Sequence, residues 1–300
     1  MVSMLNRLPS VHVKFGCGRL PSVPPLPDVI AAKESLLTGQ DRVQDLNRQA
    51  WDHAVDRGDN PYTRIVSSAR VAAARRGDWS LTVSEQRPVP RHWLEPLAGA
   101  RVLCLASGGG QQAPILAAAG AAVTVVDLSS RQLDQDRFVA DRDGLEITTV
   151  QADMADLSVL PDQGFDLLIN PVSTLFVPDL TPVWAECHRV LVDGGALISG
   201  FLNPDEFVFD SDALDDHGVF VVKNPLPYSE IDSLSPEARQ RRRQENGTFH
   251  FSHTMETQIG GVIAAGFTID GFYEDRRTEA DGNPIRHFMP SVFVMRARKV

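Results

Sequence analysis

Cysteine is scarce in this chain of 300 residues, and its three copies (Cys17, Cys104 and Cys187) are scattered. That excludes a disulfide framework, and the spacing does not suit a metal site. No apolar run approaches the roughly 20 residues that span a bilayer. The N-terminus also lacks the continuous apolar stretch of a secretory leader. These absences lead us to expect a cytoplasmic protein without membrane contact. Basic residues are in deficit: 29 Lys and Arg against 39 Asp and Glu give a formal charge of −10, which disfavours non-specific binding to nucleic acid. What remains, 43% hydrophobic and 23% charged, is the composition of a globular chain able to bury a sizeable core.

Residues 1 to about 40 carry Pro9, Pro21, Pro24, Pro25 and Pro27 with little periodicity, so we expect a poorly ordered extension. From Asp41 the chain reads as helix, "DRVQDLNRQAWDHAV", broken by "GDNPYT". A second short helix, "SARVAAARRG", ends at Gly77 as a C-cap. From Arg101 the pattern turns regular. "RVLCLA", "AVTVVD", "EITTVQAD", "FDLLIN" and "ALISGFL" read as strands. Helices alternate with them: "QQAPILAAAG", "SSRQLDQDRFVADRDG" (capped by Ser129, with Leu133 and Phe138 inward), and "VPDLTPVWAECHRVLVDGG" with a Gly-Gly exit. Such alternation means an α/β fold on a parallel sheet. Residues 203–250 are polar, Pro-rich and loop-like. "TMETQIGGVIAAG" is then a helix, and "FTIDGFYED" and "SVFVMRARKV" are the last two strands. The link between these two has no room for a helix, so the pair should be antiparallel.

The chemistry centres on "SGGGQQAP", a glycine turn between a strand and a helix. A triphosphate-binding loop needs Lys-Ser/Thr after the last glycine, but Gln111 and Gln112 stand there. Gly108, Gly110 and Ala113 do satisfy the dinucleotide pattern G-x-G-x-x-A, and Asp127 ends the next strand. Locally, then, a nicotinamide dinucleotide and another adenosine ligand remain equal. Asp153 ends the third strand, where a carboxylate can accept from an adenine amino group while Met154 packs on the ring.

Taken together, "VLCLASGGG…VTVVDLSSRQLDQDR…VQADMADL…FDLLINPVS…AECHRVLVDGGALISG" resembles a class I S-adenosylmethionine-dependent methyltransferase over residues 100–202, and "HTMETQIGGVIAAGFTIDGFYED" extends the likeness. The resemblance implies a Rossmann-like three-layer sandwich with a seven-stranded, mostly parallel sheet and an antiparallel last strand. It implies S-adenosyl-L-methionine as cofactor. The turn Ala106, Ser107, Gly108, Gly109, Gly110, Gln111 and Gln112 would hold its methionine end. Asp127, Leu128, Ser129 and Gln132 would hold the ribose, Asp153 and Met154 the adenine, and Asn170 would lie near the methyl group. Two positions depart from the family pattern: Cys104 replaces a common acidic residue, and Ala106 replaces the first glycine. "INPVS" partly resembles the motif of amino-directed nucleic-acid methyltransferases, but Ser173 stands where the stacking aromatic belongs.

The resemblance divides the chain into an N-terminal helical cap at 41–98 and a methyltransferase domain at 99–300, with 203–250 inserted as a substrate lid. Tyr62 or Trp51 would cover the cofactor. Methyl transfer needs a base only where the acceptor must lose a proton, and the candidates are His253, His250 and Tyr62. The Arg run 241–243 reads as a solvated helix face. A small-molecule methyl acceptor is expected, and nucleic acid is not. Two other readings remain, an NAD-dependent oxidoreductase and a non-catalytic cofactor-binding protein on the same fold.

Overall fold

The structure, a computed structural model, describes residues 43–279 and 282–300. The expected extension at 1–40 lies outside them. Burial along the strands shows how the layers form. In β1 (Arg101–Leu105), Val102 and Cys104 enter one apolar cluster, while Leu103 and Leu105 enter the other. A strand buried on both faces needs a helical layer on each side. The same division runs through β4 (Phe165–Asn170) and β5 (Leu191–Leu202), where Ile169 and Ile198 face one layer, and Leu168 and Leu197 the other.

The remaining strands are β2 (Ala122–Asp127), β3 (Ile147–Gln151), β6 (Phe267–Asp275) and β7 (Val292–Lys299). Their order is β3-β2-β1-β4-β5-β7-β6. Neighbours from β3 through to β5 are parallel, and β7 runs antiparallel to both β5 and β6. The expected three-layer α/β sandwich and its reversed last strand are therefore present. Chain order reverses between β1 and β4, so a crevice opens at their carboxyl ends, the place where open α/β sheets bind ligands.

The cap begins with α1 (Val43–Arg57), whose buried Val43, Asn47, Ala50 and Ala54 form one helical stripe. It continues with α2 (Ser68–Arg75) and α3 (Arg91–Leu94). In the sandwich, α4 (Gln112–Ala118) follows the glycine turn, and α5 (Ser130–Asp143) follows β2. Ser129 caps α5 through the Gln132 amide, and Gly144 ends it in the left-handed conformation. Phe138 does not face inward as expected: it is 55% exposed, with the Arg142 guanidinium over its ring. Five residues beyond Leu133 is a rotation of about 140° from the buried stripe, so Val139 takes the inward place.

Three further expectations change. The helix α6 (Thr181–Val190) stops before the glycine pair, and Gly194 and Gly195 belong to β5. The segment 203–250 is not mainly loop: it holds α7 (Ser211–His217), α8 (Glu230–Ser233) and α9 (Pro236–Gln244). The last predicted helix is a single π-type turn at Glu256–Gly260 running into α10 (Gly261–Ala264), where Gly261 lies against Trp184.

Candidate active site

The glycine turn lies between β1 and α4, above the carboxyl ends of β1 and β2. Ala106 sits in it at φ 47°, as do Gly108 and Gly110 at φ 70° and 69°. The position that lacks the family's glycine thus keeps the backbone conformation a glycine would adopt. Gly109 is required for a different reason: a Cβ there would overlap the Gln132 carbonyl oxygen. The turn is clamped from behind by α5. The Gly109 amide donates to Gln132 Oε1 at 2.7 Å, and the Gly110 amide donates to Asp136 Oδ1 at 2.8 Å. Gln132 and Asp136 are one helical turn apart and both buried.

That clamp limits how many amides the turn can offer a ligand. A phosphate cradle works by aiming successive amides at the anion. Here two of those amides are consumed by the protein, one of them by a carboxyl group, so the turn offers no pyrophosphate nest at Gly109 and Gly110. The turn is covered from in front by the cap. The Val66 amide donates to the Gly110 carbonyl at 2.8 Å, and Gln111 Nε2 donates to the Tyr62 carbonyl at 2.7 Å.

Asp127 ends β2 with Oδ1 accepting from the Ser129 amide at 2.8 Å. Burial, reinforced by the charge of Asp52, pushes its carboxyl up to about 7. No cation pairs with it among the described residues. Gln151 Nε2 donates to the Leu128 carbonyl at 3.0 Å and the Ala152 amide donates to the Asp127 carbonyl, which brings the end of β3 alongside. Asp153 there turns Oδ1 to the Ala155 amide at 2.9 Å, while Met154 is buried in the core. Asn170, at the end of β4, is fully enclosed. Its Nδ2 donates to the Leu105 carbonyl at 3.0 Å and to Ser173 Oγ at 2.8 Å, and its Oδ1 accepts from Ser199 Oγ at 3.1 Å. Asn170 therefore braces the strand that feeds the glycine turn.

Of the three candidate bases, His250 and His253 both pack against the turn at 174–177, and Tyr62 belongs to the segment after α1. Tyr62 is 53% exposed and its hydroxyl donates to Glu85 at 3.1 Å. His253 is buried with Nε2 facing two carbonyls, Thr174 at 3.1 Å and Val177 at 2.8 Å, so Nε2 carries the proton and donates. His250 pairs Nε2 with Thr248 Oγ1 at 2.8 Å, and its ring lies 5.5 Å from that of Phe176. Phe176 in turn meets Trp51 of α1 edge-on. Burial, aided by the Arg242 charge, pulls His250 down to about 4, so it is neutral at ordinary pH. Arg242 is no solvated member of a basic run: it pairs with the buried carboxylate of Glu230 at 2.8 Å.

Known proteins identify the family. Residues 103–199 match the family described as "Methyltransferase domain". The "Uncharacterized methyltransferase YbaJ" of Bacillus subtilis (strain 168) is 47% identical over 230 residues, which is 77% of this chain and 89% of that protein. The chain belongs to the class I S-adenosylmethionine-dependent methyltransferases.

A solved S-adenosylmethionine-dependent methyltransferase from Mesorhizobium loti shares the fold, with TM-score 0.53 and 22% identity over 70% of this chain and 95% of that one. A ubiquinone biosynthesis O-methyltransferase from Nitrosococcus oceani is 34% identical over 115 residues, 38% of this chain, and the match spans only 49% of that relative. The methyltransferase site also has polar groups suited to a ligand: Ser107 Oγ, Gln112 Oε1 and Asp136 Oδ2 are buried around the glycine turn without partners. With Asp127 they fit a cofactor bearing ribose hydroxyls and an amino-acid end. Sequence reading missed Asp52 and Asp136, both of which reach this site. Asp136 left one signal, its i,i+4 spacing from Gln132 on a helix that follows an acidic strand end. Asp52 left none.

Proposed function

We infer that this methyltransferase moves the methyl group of S-adenosylmethionine to a small-molecule acceptor held beneath the cap. The observation that supports this best is the pair formed by Asp127 and the inward-turned glycine amides. A half-buried carboxyl without a cation favours hydroxyl donors, and a turn with two of its amides consumed does not favour a dinucleotide phosphate. Asp127 would accept the ribose hydroxyls, with Leu128 and Ser129 shaping that wall. Asp153 would take the adenine amino group. Ala106, Ser107, Gly108, Gln111, Gln112 and the face of Tyr62 would border the methionine end. The bound cofactor supplies an activated methyl group on a sulfonium.

The protein's own part is placement and proton removal. Trp51, Phe176 and His250 form an aromatic face between α1 and the segment after β4. On this reading an acceptor packs there, and His250, a weak base with its ring held near 4, takes a proton only from an acceptor that is itself acidic. His253 holds the turn at 174–177 through Nε2, leaving Nδ1 as its second nitrogen. On this reading the segment 203–250, joined to α1 through Asn47, serves as a lid over this face. The formal charge of −10 supports a small acceptor over nucleic acid, as does the likeness to an O-methyltransferase of ubiquinone biosynthesis. No helix among the described residues is long and apolar enough to cross a membrane, and a cytoplasmic enzyme is the simplest setting.

Calorimetry with S-adenosylhomocysteine and with NAD tests the reading. Binding of the first and loss of that binding in Asp127→Ala are expected, whereas binding of NAD alone would overturn it. A protein that binds the cofactor product yet turns over no acceptor from a broad panel would favour a non-catalytic role.

A further inference from the structure

Ser129 is 1% exposed and stands between two carboxylates from different parts of the chain. Its amide donates to Asp127 Oδ1 at 2.8 Å, and its hydroxyl donates to Asp52 Oδ1 at 2.6 Å. Asp52 belongs to α1 of the cap. Its Oδ1 also receives the Arg131 amide at 3.3 Å, in the first turn of α5, and its Oδ2 is paired with Arg48 at 3.1 Å. An anion at that helix terminus is favourable in itself. One turn further along α1, Asp56 pairs with Arg131 at 3.3 Å. The contact continues inward: Ser129 Oγ accepts from the Gln132 amide, and the Gln132 side chain holds the Gly109 amide. A single chain of hydrogen bonds thus runs from the cap helix to the glycine turn.

We propose that Asp52 is a positioning residue of the cofactor site, coupling the docking of α1 to the orientation and charge of the ribose-binding carboxylate through Ser129. This rests on the cofactor reading above. Two carboxyl groups face Asp127, Asp52 from α1 and Asp136 from α5, with Arg48 beside the first and Arg137 near the second; burial pushes Asp136 up to about 8, so below that pH Asp52 carries the charge. Asp52 has two separable effects. Its hydrogen bonds hold the cap against the β2–α5 corner. Its charge disfavours ionisation of Asp127 and thereby raises the pH at which that group becomes a full acceptor for ligand hydroxyls.

Two variants separate these effects. Asp52→Asn keeps an oxygen for the Ser129 hydroxyl but removes the charge, while Asp52→Ala removes both. S-adenosylhomocysteine binding is measured by calorimetry from about pH 5.5 to about pH 8.5, and amide hydrogen exchange of 43–66 is followed in parallel. For the unsubstituted protein, affinity should fall up to tenfold per pH unit below about 7, as protons compete for Asp127. In Asp52→Asn the midpoint of that fall should move to lower pH. In Asp52→Ala affinity should drop about tenfold or more across the range, and α1 should exchange faster. Unchanged pH profiles, or an equal loss in both variants with no shift of midpoint, would overturn the proposal. Failure of the unsubstituted protein to bind S-adenosylhomocysteine would instead overturn the cofactor reading on which it rests.

Discussion

Ala106 holds a left-handed backbone with a side chain attached, at φ 47°. For an L-residue with a Cβ this conformation costs about 1 to 2 kcal/mol. Ala106→Gly removes the strain but gives back about 0.4 to 1 kcal/mol of unfolded-chain entropy. We therefore expect a denaturant midpoint equal to or slightly above that of the unsubstituted protein, with cofactor affinity retained. Gly109 behaves oppositely, because its missing side chain makes room for the Gln132 carbonyl oxygen. Gly109→Ala should separate the turn from α5, lowering the melting temperature and abolishing S-adenosylhomocysteine binding. Melts and calorimetry on the two variants would show whether this contrast holds.

Between elements, two buried polar side chains join parts that are distant in sequence. Asn47 of α1 donates Nδ2 to the Phe176 carbonyl at 3.0 Å and the Phe249 carbonyl at 3.1 Å, and accepts from the Phe249 amide at 2.7 Å. It closes its own hydrogen-bonding needs while tying α1 to the backbone at Phe176 and Phe249. Asn47→Ala leaves those groups without partners at roughly 1 to 3 kcal/mol each at most, so both the cap and residues 249–251 should exchange faster with solvent. Asp275 at the end of β6 similarly gathers the amides of Glu85, Gln86 and Arg87 on Oδ2. Burial works against its charge, but the amides of Arg87 and Gln86 outweigh it and hold the carboxyl below the usual range. Its contribution is complete above about pH 4, the unfolded value, and is lost as pH falls through the lower folded value. Asp275→Asn should therefore lower the urea midpoint at neutral pH, and the gap from the unsubstituted protein should narrow in acid.

For the molecule as a whole, the site sets the pH dependence of stability. Asp127 is pushed to about 7 and Asp136 to about 8, chiefly by burial. Both hold protons in the folded state that the unfolded chain has lost above about pH 4, so they make the ligand-free protein less stable as pH rises through this window. His250, pulled down to about 4, and His253, also lowered by burial, act in the opposite sense below about pH 6.5. The two trends offset one another in that range. From about pH 6.5 to 8 the carboxyls alone remain, and the melting temperature should decline. Asp136→Asn should flatten this decline; a slope that survives the substitution would show that the charge beneath the glycine turn is not its source.

Much was determined by the sequence alone. Strand and helix periodicity, the capping Ser129, the terminal Gly144 and the acidic ends of β2 and β3 are local signals, and hydrophobic burial turns them into one sheet. The glycine turn was legible for the same reason, because Gly108 and Gly110 mark left-handed positions without reference to anything distant. Tertiary structure decided what faces that turn. Asp136 and Gln132 consume two of its amides, Asp52 arrives from a helix some 75 residues earlier, and Asn47 joins α1 to Phe249, about 200 residues further along the chain. Each of these is a polar contact between residues far apart along the chain, and nothing in local periodicity encodes its partner. Phe138 differs from these: its residue type suggests burial, but the local helical period of α5 already turns it to the surface.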